Sequence, residues 1–75
     1  MVDNMMKLGT VEELGKLIRQ RRKSLNLRID DAAMMMGISK DTLSKIENGS
    51  DGVSIGKVYV VLKELGLKLF MEGTE

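Results

Sequence analysis

Apolar residues recur along this chain at helical spacing in four blocks. Val11, Leu14, Leu17 and Ile18 fall on one face and predict a helix from Val11 to about Ser24. Leu25 is expected to close its buried end and Asn26 to stop it. Thr10-Val-Glu-Glu13 reads as a capping box, the Thr10 hydroxyl serving the third helical amide while Glu13 reaches back. Glu12 and Glu13 at the start, with Arg21, Arg22 and Lys23 in the last turns, suit the helix dipole. A second block, Ala32, Ala33 and Met36, ends at Gly37, where a helix terminus needs a left-handed residue. Ser39 offers a hydroxyl to the amides of a third helix, in which Leu43 and Ile46 point inward. Ser54 caps a fourth, Ile55 to Leu65, burying Ile55, Val58, Val61, Leu62 and Leu65 and ending at Gly66. Its β-branched residues weaken intrinsic helicity, so tertiary packing must hold it.

The pattern then changes period. Leu67, Leu69 and Met71 alternate with Lys68, Phe70 and Glu72, as in a strand. One strand in an otherwise helical chain has no partner in its own monomer, so antiparallel pairing with a second copy is expected, burying Leu67, Leu69 and Met71. Met1 to Gly9 shows no clear periodicity and is expected to fray, with Met5, Met6 and Leu8 able to pack on the body. The expected organisation is thus a flexible segment 1–9, one domain 10–66, and a dimerising strand and tail 67–75.

The second and third blocks are joined by a few residues, and the third helix has an open polar side. Leu27 to Gly49 therefore reads as a helix-turn-helix, a geometry that fits the DNA major groove. On the open side, Lys40 can donate to guanine O6/N7, and Asp41 can accept from cytosine N4 or tune Lys40. Ser44 can reach a base or a phosphate, and Lys45 a phosphate. Ser39 is either a fourth base-reading residue or only a cap; Asp41 in the first turn also suits the dipole.

Charge sharpens this reading. The chain carries 12 Lys and Arg against 11 Asp and Glu, a net charge of only +1. Yet Lys16, Arg19, Arg21, Arg22, Lys23 and Arg28 follow one another without an intervening acid. Beside a helix-turn-helix such a strip is better read as phosphate-facing than as a solvated face, with Arg22 and Lys23 leading.

AAMMMGISKDTLSKIENG resembles the helix-turn-helix of the Xre group, relatives of the lambda-type repressors. The shared pattern is Ala-x-x-x-Gly-Ile-Ser followed by Thr-Leu-Ser-x-Ile-Glu-x-Gly. The resemblance implies an all-α, lambda repressor-like domain of four to five helices with a short C-terminal strand pairing in a dimer. It places Thr42 near the DNA backbone and gives Glu47 a structural bond to an arginine of the first helix, Arg21 or Arg22. The family usually has Thr-Gln where this chain has Arg28-Ile29; Arg28 is expected to supply by charge the phosphate contact that the glutamine makes. Leu-Gly-Leu-Lys-Leu, from Leu65, looks like the C-terminal arm of HipB-type antitoxins, dimeric repressors that also hold a HipA-type kinase toxin. The resemblance therefore implies a pseudo-palindromic operator, a homodimer, an autoregulated toxin–antitoxin operon and a kinase partner in a bacterial or phage cytoplasm, at the nucleoid. A generic Xre-type regulator, or a toxin-neutralising module with weak or no DNA binding, is the alternative.

Other chemistries find little support. Cys and His are both absent, which removes thiolate sites and the commonest base and metal ligand. Carboxylates are scattered and the chain is small for a substrate cleft, so neither enzyme activity, cofactor nor metal is expected. No long apolar run or charged-then-apolar leader is present, which points to a cytoplasmic protein with no membrane partner. Met34, Met35 and Met36 are adjacent, hence about 100° apart on a helix, and cannot converge on a soft metal. Met36 is expected in the core; Met34 and Met35 either pack or offer an adaptable contact surface. Asn48-Gly-Ser-Asp-Gly52 is a turn that either merely turns or presents amides to a phosphate, and it lacks Walker spacing.

Overall fold

A computed structural model describes residues 9–70. Four helices follow one another: α1 (Val11–Ser24), α2 (Ile29–Met36), α3 (Lys40–Glu47) and α4 (Ile55–Glu64). α1 packs against α3, and α2 packs against both α3 and α4. The fold is all-α, as expected.

Local chemistry explains each start and stop. The capping box is formed: the Thr10 hydroxyl accepts from the Glu13 amide at 3.0 Å, and Glu13 accepts from the Gly9 and Thr10 amides. Ser39 and Ser54 cap α3 and α4 through their hydroxyls, whereas Arg28 precedes α2 without a side-chain cap. In place of a cap, Asp30 and Asp31 lie in the first turn of α2, where the dipole favours negative charge. Every helix ends on a left-handed residue (Asn26, Gly37, Gly49, Gly66) with the same pair of reverse bonds, as in Leu67 N–H to Leu62 O at 2.8 Å.

Ile18, Ala32, Ala33, Met36, Leu43, Ile46, Val61, Leu62 and Leu65 form the core. The amphipathic stripes were phased correctly, but burial stops short of the helix ends. Ile55 shares a stripe with Val58 and Leu62, yet it is 72% exposed and Val58 is half-buried. Val11, Leu14 and Ile18 grade in the same way along α1, and Leu25 also stays substantially exposed. These three expected core residues, Ile55, Val11 and Leu25, sit at helix termini that overhang the packed centre.

Two glycines bring α1 against the far end of α3. A Cβ at Gly15 would lie 2.5 Å from the Ile46 carbonyl oxygen and 2.6 Å from that of Glu47. At Gly49 it would lie 2.7 Å from the Glu12 Cα. Backbone therefore rests on backbone here, and no larger residue fits without moving α1.

The strand expected over Leu67 to Glu72 is not formed among the described residues. Leu67 to Phe70 carry no strand, and Met71 and Glu72 lie outside them, as does the segment from Met1 to Leu8. A strand exists only through hydrogen bonds to a neighbouring backbone, and the described residues of a single copy supply none. Leu67 instead turns back and packs against the core beside Leu62. No helix among the described residues is long and apolar enough to cross a membrane.

Candidate nucleic-acid interface

Gly37 (φ 71°) reverses the chain after α2, and Ser39 restarts it as α3 two residues later. Three residues anchor α3: Leu43, Ile46 and Glu47 are all buried. The opposite side carries Lys40, Asp41 and Lys45 in solvent with Ser44 half-buried. α3 is thus held from behind and open in front.

The buried Glu47 is matched by Arg22 of α1. Arg22 Nε donates to one carboxylate oxygen at 2.7 Å, and its Nη2 donates to the other at 3.0 Å. Its Nη1 donates to the Leu27 carbonyl at 2.8 Å. The hydrogen bonds to Glu47 raise the Arg22 pKa above its ordinary value, while burial pulls the opposite way. The bond between α1 and Glu47 is therefore present, and of the two candidates Arg22 makes it. Arg21 instead donates from Nε to the Leu65 carbonyl at 2.8 Å, satisfying the end of α4.

This corrects one expected site residue. Arg22 is only 8% exposed and each of its three nitrogens is committed inside the fold, so it has no face to offer a phosphate. The basic strip accordingly splits in two. Arg21 and Arg22 turn inward, whereas Lys16, Arg19 and Lys23 remain exposed at spacings of three and four, along the face of α1 away from the core. The phase of α1 held the clue: Arg22 follows the buried Ile18 by four residues and so continues its stripe.

The remaining candidates gather around α2 and α3. Ser39 Oγ accepts from the Thr42 amide at 3.0 Å and donates to Thr42 Oγ1 at 2.8 Å. The two hydroxyls share one hydrogen bond, which leaves one proton between them to offer an outside group. Asn48 Nδ2 donates to Ser44 Oγ at 3.4 Å. Lys45 Nζ lies 3.3 Å from Asp41, one helical turn back. Asp30 of α2 lies 3.7 Å from Lys40 Nζ and 3.9 Å from Arg28 Nη2. Lys23 and Arg28 are both exposed. Of the expected dimer residues, Leu67 is half-buried and Leu69 exposed, while Met71 lies outside the described residues. Two aromatic residues not singled out from the sequence accompany them. Tyr59 and Phe70 line, with Leu62, Leu67 and Leu69, a groove of about 450 Å³ at the end of α4.

A short polar-faced helix, buttressed by a second and restarted across a glycine turn, defines a helix-turn-helix domain. The chain belongs to the helix-turn-helix family, whose profile matches residues 18–70. It is 35% identical over 63 residues to y4mF of Sinorhizobium fredii (strain NBRC 101917 / NGR234), an uncharacterized HTH-type transcriptional regulator; the match covers 84% of this chain and 83% of that one. Its fold is that of a chain in a solved HipA-HipB-O2-O3 complex, with a TM-score of 0.83 at 21% identity, covering 95% of this chain and all of the other. A chain of a HipB-O4 20mer complex is similar to the same degree, with a TM-score of 0.82 at 20% identity over 95% of this chain and all of that one. The helix-turn-helix resemblance of the sequence is thus matched in family, and its HipB-type likeness in fold alone.

Proposed function

We propose that this chain is a sequence-specific DNA-binding transcriptional repressor that works as a homodimer. One observation carries the reading. α3 is pinned through Leu43, Ile46 and Glu47, and it turns Lys40, Asp41, Ser44 and Lys45 outward as a rigid polar face. Lys40 and Ser44 read base edges with Asp41 and Ser39 beside them, while Lys23, Arg28, Thr42 and Lys45 position the phosphate backbone. Two copies place their α3 helices about 34 Å apart, in successive major grooves of a pseudo-palindromic operator, and occlude a promoter. Residues 67–75 supply the dimer contact, pairing antiparallel with the same segment of the second copy so that Leu67, Leu69 and Met71 close over the groove lined by Tyr59, Leu62 and Phe70.

The HipB likeness extends the proposal to an antitoxin that represses its own operon and holds a HipA-like kinase toxin. A toxin-neutralising module with weak DNA binding is the second reading, favoured by the exposed Met34 and Met35 on α2, an adaptable apolar surface. A mobility shift with the sequence upstream of its own gene separates the two. Retardation of that fragment, resisting competition by unrelated duplex, is the expected result. Equal retardation of every duplex, or none, would leave the repressor reading without support.

A further inference from the structure

Three of the four cations assigned to DNA, Lys40, Lys45 and Arg28, are already partnered. Lys45 pairs with Asp41 along α3, an ordinary surface pair one turn apart. Asp30 is different: it belongs to α2, yet its two carboxylate oxygens face cations on both sides, Lys40 Nζ at 3.7 Å and Arg28 Nη2 at 3.9 Å. All three side chains are at least half exposed, so these pairs add little to folding and exchange readily for other anions. One carboxylate thus spans two of the cations assigned to DNA.

We propose that Asp30 serves as an internal stand-in for DNA phosphate and sets the discrimination between operator and non-specific DNA. This rests on the DNA-binding reading above. Non-specific affinity comes from cations that neutralise phosphates and release counterions. A duplex offering only phosphates must draw both Lys40 and Arg28 from Asp30, leaving a bare carboxylate beside the DNA backbone. An operator draws off only Lys40: a guanine edge offers it two well-placed acceptors, and Arg28 meets its phosphate through its remaining N–H groups while Nη2 stays on Asp30. The carboxylate therefore penalises the wrong sequence more than the right one. Asp31 is the natural comparison. It shares the first turn of α2 and the same dipole role, but among the described residues it forms no ion pair.

The test uses the full chain and its Asp30→Asn and Asp31→Asn variants. Each binds the upstream fragment and a random duplex of equal length, at about 50 mM salt and upward. Asp30→Asn should bind the random duplex about three- to tenfold more tightly, with a salt slope steeper by up to about one, and gain less on the upstream fragment. Asp31→Asn should gain less than half as much on the random duplex, with its slope unchanged. Thermal melts confirm folding, and Asp30→Ser, which keeps a small polar residue in the first turn, stands in if the asparagine variant melts early. Equal gains from Asp30→Asn and Asp31→Asn would reduce the effect to net charge and overturn the proposal. So would loss of operator binding at unchanged random-duplex affinity, which is the mark of a residue that merely orients Lys40. Wild-type chain binding neither duplex would overturn the DNA-binding reading itself, and this inference with it.

Discussion

Arg22 and Glu47 stand 25 residues apart in the chain and close a two-pronged bond in the interior. Removing one member of such a pair strands a buried charge, so Arg22→Met should destabilise by about 3–5 kcal/mol. Restoring neutrality with Glu47→Leu should recover most of that loss. Urea unfolding of the single and double variants measures both, and an Arg22→Met midpoint equal to wild type would show that the pair carries no weight. The pair was half legible: the family pattern gave Glu47 an arginine, and only the helical phase of α1 decides which one. The local run of basic residues points the other way, because adjacent cations read as a strip although they point in different directions. Outside the core, Lys40→Ala should cost about 1–3 kcal/mol of operator binding and relax preference at one position. Lys23→Ala should weaken all sequences alike and flatten the salt slope by about one unit. Titration against single-base variants of the operator distinguishes the two, and unchanged preference in Lys40→Ala would remove it from base reading.

The four helices were readable because apolar spacing, caps and stop residues agreed at each one. Burial at their ends was not, since a stripe reports its phase and not how far the neighbouring helix extends; Ile55 and Val11 fail for that reason. Gly15 carries a signal of its own: a glycine inside an amphipathic helix costs about 1 kcal/mol against alanine and so calls for a packing reason. That reason is the end of α3, whose last carbonyls leave no room for a methyl group. Gly15→Ala should therefore destabilise despite its better helix propensity, by about 1–3 kcal/mol. Ala33, 2% exposed in the core, should behave alike, and Ala33→Leu should overpack by a similar amount of about 1–3 kcal/mol. Thermal melting of both variants is the check, and an unchanged midpoint in Ala33→Leu would mean that α2 meets α3 through another face.

For the whole molecule, the C-terminal segment is where sequence and structure part. A period of two describes how a backbone is extended, not what it pairs with, and a ladder between two copies, as proposed, would not be visible in one chain. The groove beside Tyr59 and Phe70, with Phe70 86% exposed, supports pairing between copies. Truncation after Gly66 should then yield a monomer or a weaker dimer with lost operator affinity, as read by equilibrium sedimentation and anisotropy. An undiminished dimer would move the interface onto the helices.

The last turn of α1 reaches two other helices through consecutive side chains. Arg22 grips the end of α3, and Arg21 grips the end of α4, where the C-terminal segment departs. Both are measured from one reference turn. If α1 tilts, these two bonds draw α3 and the root of the C-terminal segment with it, so under the proposed reading the positional errors of reading helix and dimer contact are correlated and not independent. In the proposed dimer, the separation of the two reading helices is a difference between such positions, and shared errors cancel in a difference. A small domain can in this way keep a fixed ruler between half-sites without being stiff throughout.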